Sequence, residues 1–600
     1  MRLQNSIIYP DLYNGEFFQE RAETIVRLDD FLHFLDQPAQ KAVRAAIQDP
    51  SFPCNVPEEH WSWDTLWSSS ADLPKLFRLA ILHPAENPET SIKCSLINES
   101  LVNFPVYEAL SWVWGMSDLV DIQVNGCEFP IPTTLLHSLR ALRRKTEHRI
   151  VWIDSLTIDM KNWTERGQQV AMMAEIYGSA RNTILYMGDG DPDTSLAIEG
   201  ICRRDKSMIT EAINDSGAFT RGIRNIIGRQ IWRRTWIIQE VVVAKDSVCS
   251  CGMHEIHWTD LSEALEDYGQ QLFFKAREWQ SVPDDLQELF QSWQAFRSFA
   301  SISKRWVSKN LLLPELLHLT RFHRTSLRCD MLFGLCSLLQ PEEAENPLLA
   351  VNYTLSEAEV FTRLATYIIT KYRNLDILSF SGFNYSLDPR ETSPDWPSWV
   401  AMNFVADTFS PGIFDPQQPK IYNAGGRQLR EFDISIDSMR LSVEGILIDS
   451  IAHVIPLLVP EVSNEKSGTS ETGEPVFQRN DIDMKCILDN LHSPEDIADV
   501  CYRTKYADVY IDAEGMPKRM PARLEETVGA RGVKWPKQKL KKQAIIVTET
   551  GKIGVASCHV QRGNQVVVLF GAMTPFIIKQ REPRVEAQIQ ANTYWLVGEW

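Results

Sequence analysis

The stretch "IWRRTWIIQEVVVAK" (Ile231–Lys245) places Trp232, Trp236 and Glu240 at i, i+4 and i+8. On a helix these three share one stripe. Indoles offer flat faces for stacking on a planar ring. A carboxylate beside them can hold hydroxyls or stabilise developing positive charge. The same stripe also reads as packing, since indoles on successive turns make a core face. Glu240 must then sit at a pocket edge or find a partner, because burying a bare carboxylate is costly. "YEALSWVWG" (Tyr107–Gly115) raises the same question for Trp112 and Trp114, two apart at the end of a predicted strand that Gly115 closes. In a strand they share one face. Joint packing against a helix layer is expected, with the Trp232/Trp236 stripe one candidate, and a pocket role falls mainly on Trp114. Asp154 closes "VWID" (Val151–Asp154) and is either a ligand-facing carboxylate or a capping or turn residue.

The elements that must carry these residues alternate from about residue 75. "LFRLAILH", "YEALSWVW", "RIVWIDSL" and "NTILYMG" read as strands, the later ones short, apolar and suited to burial on both faces. Between them, "TTLLHSLRALRR" sets Leu135, Leu139 and Leu142 at helical spacing, with Thr133 or Thr134 as cap. Asn162 and Glu165 have capping-box spacing ahead of a helix whose face is Val170, Met173, Ala174 and Tyr177. Strand–helix alternation implies an α/β unit with a parallel sheet. A mainly helical stretch follows, then short strands and turns from about 430. The polar segment Asn464–Pro475 reads as a mobile loop. The boundaries are 1–72 for an N-terminal helical extension, 73–246 for the α/β unit, 247–429 for the helical region and 430–600 for a β-rich region.

Several familiar chemistries are not encoded. "GDGDPDTS" from Gly188 opens like a calcium loop but has Gly200 at the twelfth position, where a bidentate glutamate is needed. It reads as a turn with a helix cap at Asp193 or Thr194. "HEIH" (His254–His257) spaces its histidines three apart, not four. Walker, GxGxxG and GxSxG signatures are absent, and no cysteine pair has zinc-ligand spacing, so no metal is assigned. A formal charge of −18 over 600 residues argues against a general nucleic-acid binder. The exception is the basic run Lys534–Lys542, read as a solvated loop. Eleven scattered cysteines suit a reducing compartment. Without a signal-peptide core or a long apolar run, a cytoplasmic location is expected.

The order "RLAIL…IKCSLINESL…YEALSWVWG…WIDSLTIDMKNWTERGQQVAMMAEIYGSARNTILYMGD…RRTWIIQEVVVA" closely resembles the fungal heterokaryon-incompatibility (HET) domain over about residues 75–245. Two places depart from the family pattern. Thr157-Ile158-Asp159-Met160 stands where CINQ is usual, and Trp112 where ALSY has tyrosine. HET domains resemble TIR domains remotely. The resemblance therefore implies a TIR-like parallel-sheet α/β unit within a multidomain α/β plus α+β chain. TIR domains that cleave NAD carry a catalytic glutamate as W-x-x-x-E, the spacing of Trp236 to Glu240. On that analogy Glu240 is catalytic and Trp114, Asp154 and Trp236 bind the dinucleotide. NAD is then a substrate and no cofactor is required.

Such a reaction is physically reasonable. Nicotinamide leaves from a positively charged pyridinium and needs little protonation, so one carboxylate can suffice. In an open parallel sheet, ligands sit beyond the C-terminal strand ends, where Trp112, Trp114 and Asp154 are expected. The family implies non-self recognition between fusing hyphae and regulated cell death. The alternative is a non-enzymatic scaffold acting through self-association or other incompatibility proteins. In that case Trp232, Trp236 and Glu240 hold the fold, and a sealed, fully hydrogen-bonded Glu240 would be its mark.

Overall fold

The computed structural model describes residues 75–114, 118–203, 217–252, 254–276, 284–306, 311–381, 396–401, 422–426, 429–457, 509–511, 517–519, 543–557, 559–580 and 594–599. The N-terminal extension, Gly115, the polar loop at Asn464–Pro475 and the basic run at Lys534–Lys542 lie outside them. The chain divides into two compact units. One is Met1–Ile231 with Gln239–Val282, the other Trp232–Ile238 with Pro283–Trp600.

The first unit is built on a nine-stranded sheet. Its strands are β1 (Leu76–Leu82), β2 (Lys93–Ser100), β3 (Glu108–Ser111), β4 (Leu119–Val124), β5 (Cys127–Pro132), β6 (Arg149–Trp152), β7 (Thr183–Tyr186), β8 (Ser247–Cys251) and β9 (His254–His257), in the order β5-β4-β2-β1-β6-β3-β7-β8-β9. The expected parallel sheet exists at the centre, where β6, β3, β7 and β8 run parallel. Antiparallel partners flank it on both sides, β1 on β6 and β9 on β8, so the whole sheet is mixed. Two pieces of the outer sheet, β2 and the β4–β5 hairpin, go beyond the strands read from sequence. The hairpin had a usable signal in Asn125-Gly126. Both residues take positive φ, 53° and 82°, as a type I′ turn requires.

The helices of this unit are α1 (Thr133–Leu142), α2 (Asp154–Thr157), α3 (Trp163–Ser179), α4 (Pro192–Cys202), α5 (Ala218–Ile227), α6 (Trp236–Val242, whose first residues belong to the other unit) and α7 (Trp258–Ala276). On one sheet face Leu135, Leu139 and Leu142 of α1 pack in a core with Leu110, Trp112, Val151, Ile153, Ile184 and Tyr186. On the other face α3 sets Tyr177 edge-on to Trp152, ring centroids 5.2 Å apart. The Tyr107 hydroxyl donates to the Ile176 carbonyl of α3 at 2.6 Å.

Two of three helix caps differ from expectation. Pro132, not a threonine, is the N-cap of α1, and Thr133 Oγ1 instead donates to the Asp118 carbonyl. Asp191 caps α4 in a capping box with Thr194, two or three residues before the expected Asp193 or Thr194, because Pro192 fits the first helical position. Asn162 caps α3 as expected, accepting from Thr164 N and Glu165 N. The Glu165 carboxylate does not close the box, because the buried Arg78 guanidinium takes it at 2.6 and 3.2 Å.

In the second unit the described helices include α8 (Asp284–Trp306), α9 (Leu313–Leu319), α10 (Asp330–Cys336) and α11 (Glu357–Tyr372), the last opened by a Ser356–Glu359 capping box. Among the described residues the β-rich end has two separate two-stranded sheets, β10 (Phe432–Ser435) with β11 (Arg440–Val443) and, further on, β13 (Val509–Ile511) with β14 (Pro517–Arg519). Its main sheet has six strands, β12 (Gly445–Leu457), β15 (Gln543–Thr548), β16 (Ile553–Ser557), β17 (Gln565–Leu569), β18 (Phe576–Gln580) and β19 (Tyr594–Glu599), all paired antiparallel.

Candidate functional site

The central strands decide where a ligand can sit. Along β6-β3-β7-β8 the chain leaves β3 towards β6 on one side, then crosses back to β7 on the other. With α1 on one face and α3 on the opposite face, strand order reverses between β3 and β7, and in open α/β sheets the ligand crevice falls beyond the C-terminal strand ends at such a point. The β3–β7 register pairs Ser111 with Leu185. One residue further on, Trp112 therefore lies beside Tyr186, about 4.8 Å across at the backbone.

Three of the residues expected near the strand ends, Trp112, Trp114 and Asp154, meet at this edge. The Trp112 and Trp114 indoles each donate from Nε1 to Asp154, one to Oδ1 and one to Oδ2, both at 3.0 Å. The Ser155 amide donates to Oδ1 at 2.7 Å, as befits a carboxylate at the first turn of α2. The indoles stack on each other, centroids 5.7 Å apart and planes 26° from parallel. Trp112 is buried, whereas Trp114 is 41% exposed and offers its ring to solvent. The strand itself ends at Ser111. Both tryptophans thus lie past the strand end, and their shared orientation is fixed by Asp154 instead of the pleat. With both oxygens engaged and the residue buried, Asp154 works as a local tie at the first turn of α2.

Glu240 faces the other way. It is 0% exposed, and the Ser111 hydroxyl donates to its Oε2. Leu110 and Ser111 are consecutive in β3 and point to opposite faces, and Leu110 packs in the core with α1. Glu240 therefore lies on the α3 face, where the neighbouring Gln239 Nε2 is 3.7 Å from Met173 Sδ of α3. Trp114 and Asp154 belong to the edge lined from the α1 side.

The three-residue stripe does not sit on one helix. Trp232 lies in a 3-10 turn, Gln230–Arg233, and α6 begins only at Trp236. Between them the backbone hydrogen bonds go elsewhere: Thr235 N donates to the Arg324 carbonyl at 3.1 Å, and Arg234 forms a bridge with Arg324. Groups bonded sideways cannot continue a helix. Trp232 packs edge-on against Phe296, centroids 5.4 Å apart. Trp236 donates from Nε1 to Asp330 Oδ2 at 3.3 Å, and Asp330 also accepts the Tyr353 hydroxyl at 2.6 Å. These contacts lie wholly in the second unit.

Sequence reasoning missed a polar group at the same crevice. Asp189 follows β7 and accepts the Tyr186 hydroxyl at 2.6 Å on Oδ1, while Oδ2 lies 2.8 Å from His137 Nδ1. Arg229 donates to the Asp189 main-chain oxygen at 2.8 Å. Some burial opposes ionisation of Asp189, but hydrogen bonds from Tyr186 and His137 and the nearby Arg229 charge bring its carboxyl below the usual range. Burial, then the bond to Asp189, raises the Tyr186 phenol, so it stays a donor. The "GDGD" run around Asp189 was visible as a turn. Its partner on α1 is 52 residues away in sequence, and no local pattern links them.

Among the described residues no three His, Cys, Asp or Glu side chains gather as a metal site, and no helix is long and apolar enough to cross a membrane. The free thiols include Cys94, Cys249, Cys251 and Cys336. Burial raises the Cys94 and Cys336 thiols to about 12, so both are inert. Cys127 departs from the expected free thiols, being disulfide-bonded.

A parallel-centred sheet, an indole-clamped aspartate at its edge and a sealed glutamate behind it describe an α/β domain matching the sequence signature above. Residues 107–240 match the family "Heterokaryon incompatibility protein (HET)", and the chain carries a HET domain. It is similar to "Heterokaryon incompatibility protein 6, OR allele" of Neurospora crassa, 25% identical over 394 residues. That alignment covers 54% of this chain and 57% of the relative, so the chain spans little more than half the relative's length. No solved structure matches at a significant level.

Proposed function

We propose that this chain acts in heterokaryon incompatibility, as a cytoplasmic non-self recognition protein whose HET domain triggers regulated cell death on hyphal fusion. The observation that carries the reading is the similarity to the Neurospora incompatibility protein, which extends over 394 residues and so well beyond the HET match at 107–240. Expression in a hypha that carries an incompatible partner should arrest growth, and deletion of 107–240 should relieve the arrest. Arrest that persists without those residues would overturn the assignment.

Within that role the geometry around Glu240 favours action by association. A carboxylate with no exposed surface, held by the Ser111 hydroxyl, suits an internal tie better than a group that must touch substrate. The partners are then a second copy or another incompatibility protein. A second reading, TIR-like cleavage of NAD, is favoured by a different observation. The crevice where strand order reverses carries an exposed indole and the Asp154 carboxylate. Nicotinamide release by the purified chain, in monomeric and assembled forms, separates the two. A protein inert in every form excludes the enzyme. An active one whose Glu240→Gln variant matches wild type removes Glu240 from the chemistry and leaves the crevice as its place.

A further inference from the structure

At the C-terminal end of the sheet His137 presents a partly exposed imidazole, 42% against 66% for the Asp189 side chain it pairs with. His137 projects from α1 and Asp189 from the turn after β7, so the pair joins segments that leave neighbouring strands. Asp189 is held from three directions: Tyr186 on Oδ1, His137 on Oδ2, and Arg229 on its main-chain oxygen. The turn that presents it depends on Gly188, whose φ is +103° and where a Cβ would come within 2.9 Å of Arg229 Nη1. Tyr186 anchors the group in the core at 5% exposure, while the His137 side chain is 42% exposed. A carboxylate on Nδ1 selects the tautomer protonated there, which leaves Nε2 as the basic nitrogen facing outward.

We propose that His137 is the general base of a hydrolytic site in this crevice, with Asp189 and Tyr186 positioning its ring and Trp114 stacking on the base of a pyridinium nucleotide. The proposal rests on the NAD-cleavage reading above and moves its chemistry away from Glu240. In the step, water attacks the anomeric carbon of the ribose. The new C–O bond forms as the C–N bond breaks, and its electron pair neutralises the departing pyridinium nitrogen. His137 Nε2 takes the proton from water and returns it to solvent. No oxidant or other co-reactant is needed. Asp154, fixed by two indole N–H groups and a backbone amide, lies at the same edge to face the developing positive charge.

The groups that meet around Asp189 come from several elements. Asp189, Tyr186, Arg229 and Cys251 come from the β7 and β8 ends and the turn after α5. On α1 itself Arg140 is occupied by Glu89 at 3.2 Å.

The test uses the full chain with NAD as probe and nicotinamide release as readout. His137→Ala should lower kcat by about 10²- to 10⁴-fold, with little change in KM and an unchanged melting midpoint. Asp189→Asn should also lower kcat with KM little changed, because the ring loses the carboxylate that orients it. A purely structural role for Asp189 would lower the melting midpoint without this split between kcat and KM. Active wild type with equally active His137→Ala overturns this proposal and leaves NAD cleavage standing. Wild type inert in monomeric and assembled forms overturns both.

Discussion

Removing the Glu165 carboxylate should open the segment that links β1 to α3, and the size of the effect follows from its surroundings. Arg78 is 0% exposed and the Glu165 side chain 6%. Arg78 Nη1 donates to Glu165 Oε1 at 2.6 Å and to the Thr157 carbonyl at 2.8 Å, and Nη2 donates to Oε2 at 3.2 Å. Glu165 Oε1 also accepts the Asp159 amide at 2.9 Å. One ion pair therefore fixes Thr157–Asp159, where this chain departs from the usual CINQ. Glu165→Ala leaves a guanidinium buried without its counter-charge, a loss of about 3–5 kcal/mol. At about 1.4 kcal/mol per tenfold, amide exchange in β1 and α3 should quicken by about 10²- to 10⁴-fold. Exchange is the right assay because a chain of two units need not unfold in one transition. The double variant Arg78→Met/Glu165→Leu removes both charges and should recover at least half of the loss, since apolar replacement of a whole buried pair is often neutral or better. A change below tenfold in Glu165→Ala would refute the reasoning. A double variant as unstable as the single one would show that shape, not charge, is at stake.

Ser111→Ala takes one charge-assisted bond from the sealed Glu240 and should cost about 1.5–3 kcal/mol in urea denaturation. Trp112 and Trp114 share Asp154 but should part in stability: Trp112→Ala should cost about 3–5 kcal/mol as a core truncation, Trp114→Ala about 1.5 kcal/mol, the low end for a part-exposed bond to a carboxylate. His323, in the second unit, is lowered to about 4 by burial and then by the Arg233 charge, although a bond at Thr320 opposes this. A histidine lowered in the fold stabilises it fully above the unfolded value of about 6.5 and loses that contribution as pH falls towards 4, up to about 3 kcal/mol. Denaturation midpoints at pH 7.5 and 4 should differ less in His323→Phe than in wild type, and equal differences would count against the burial argument.

Much of the first unit could be read from local pattern. Leu135, Leu139 and Leu142 are all buried on α1, because a 3.6-residue repeat needs only its own helix to define a face. The short apolar runs at β6 and β7 were legible for the same reason: strands covered on both faces have no polar side to show. The antiparallel flanks were harder. β2 alternates little, and its first residues pair with β4, about thirty positions on. The helical stripe at Trp232 failed because the backbone at Arg234 and Thr235 bonds to Arg324. A local periodicity cannot foresee a partner 90 residues away.

By itself, the sequence determined the family signature, the alternation of strand and helix, and the residue types available for chemistry, since these depend on neighbours within one or two turns. Only the tertiary structure decided which of those residues share a place. Strand alternation sent Leu110 to the α1 core on one face and Ser111 to Glu240 on the other, and Asp154 then fixed Trp112 beyond the strand end. The reversal of strand order put His137 and Asp189 together across the end of the sheet. Both outcomes depend on register between distant strands, and register is set by the packing of the whole sheet.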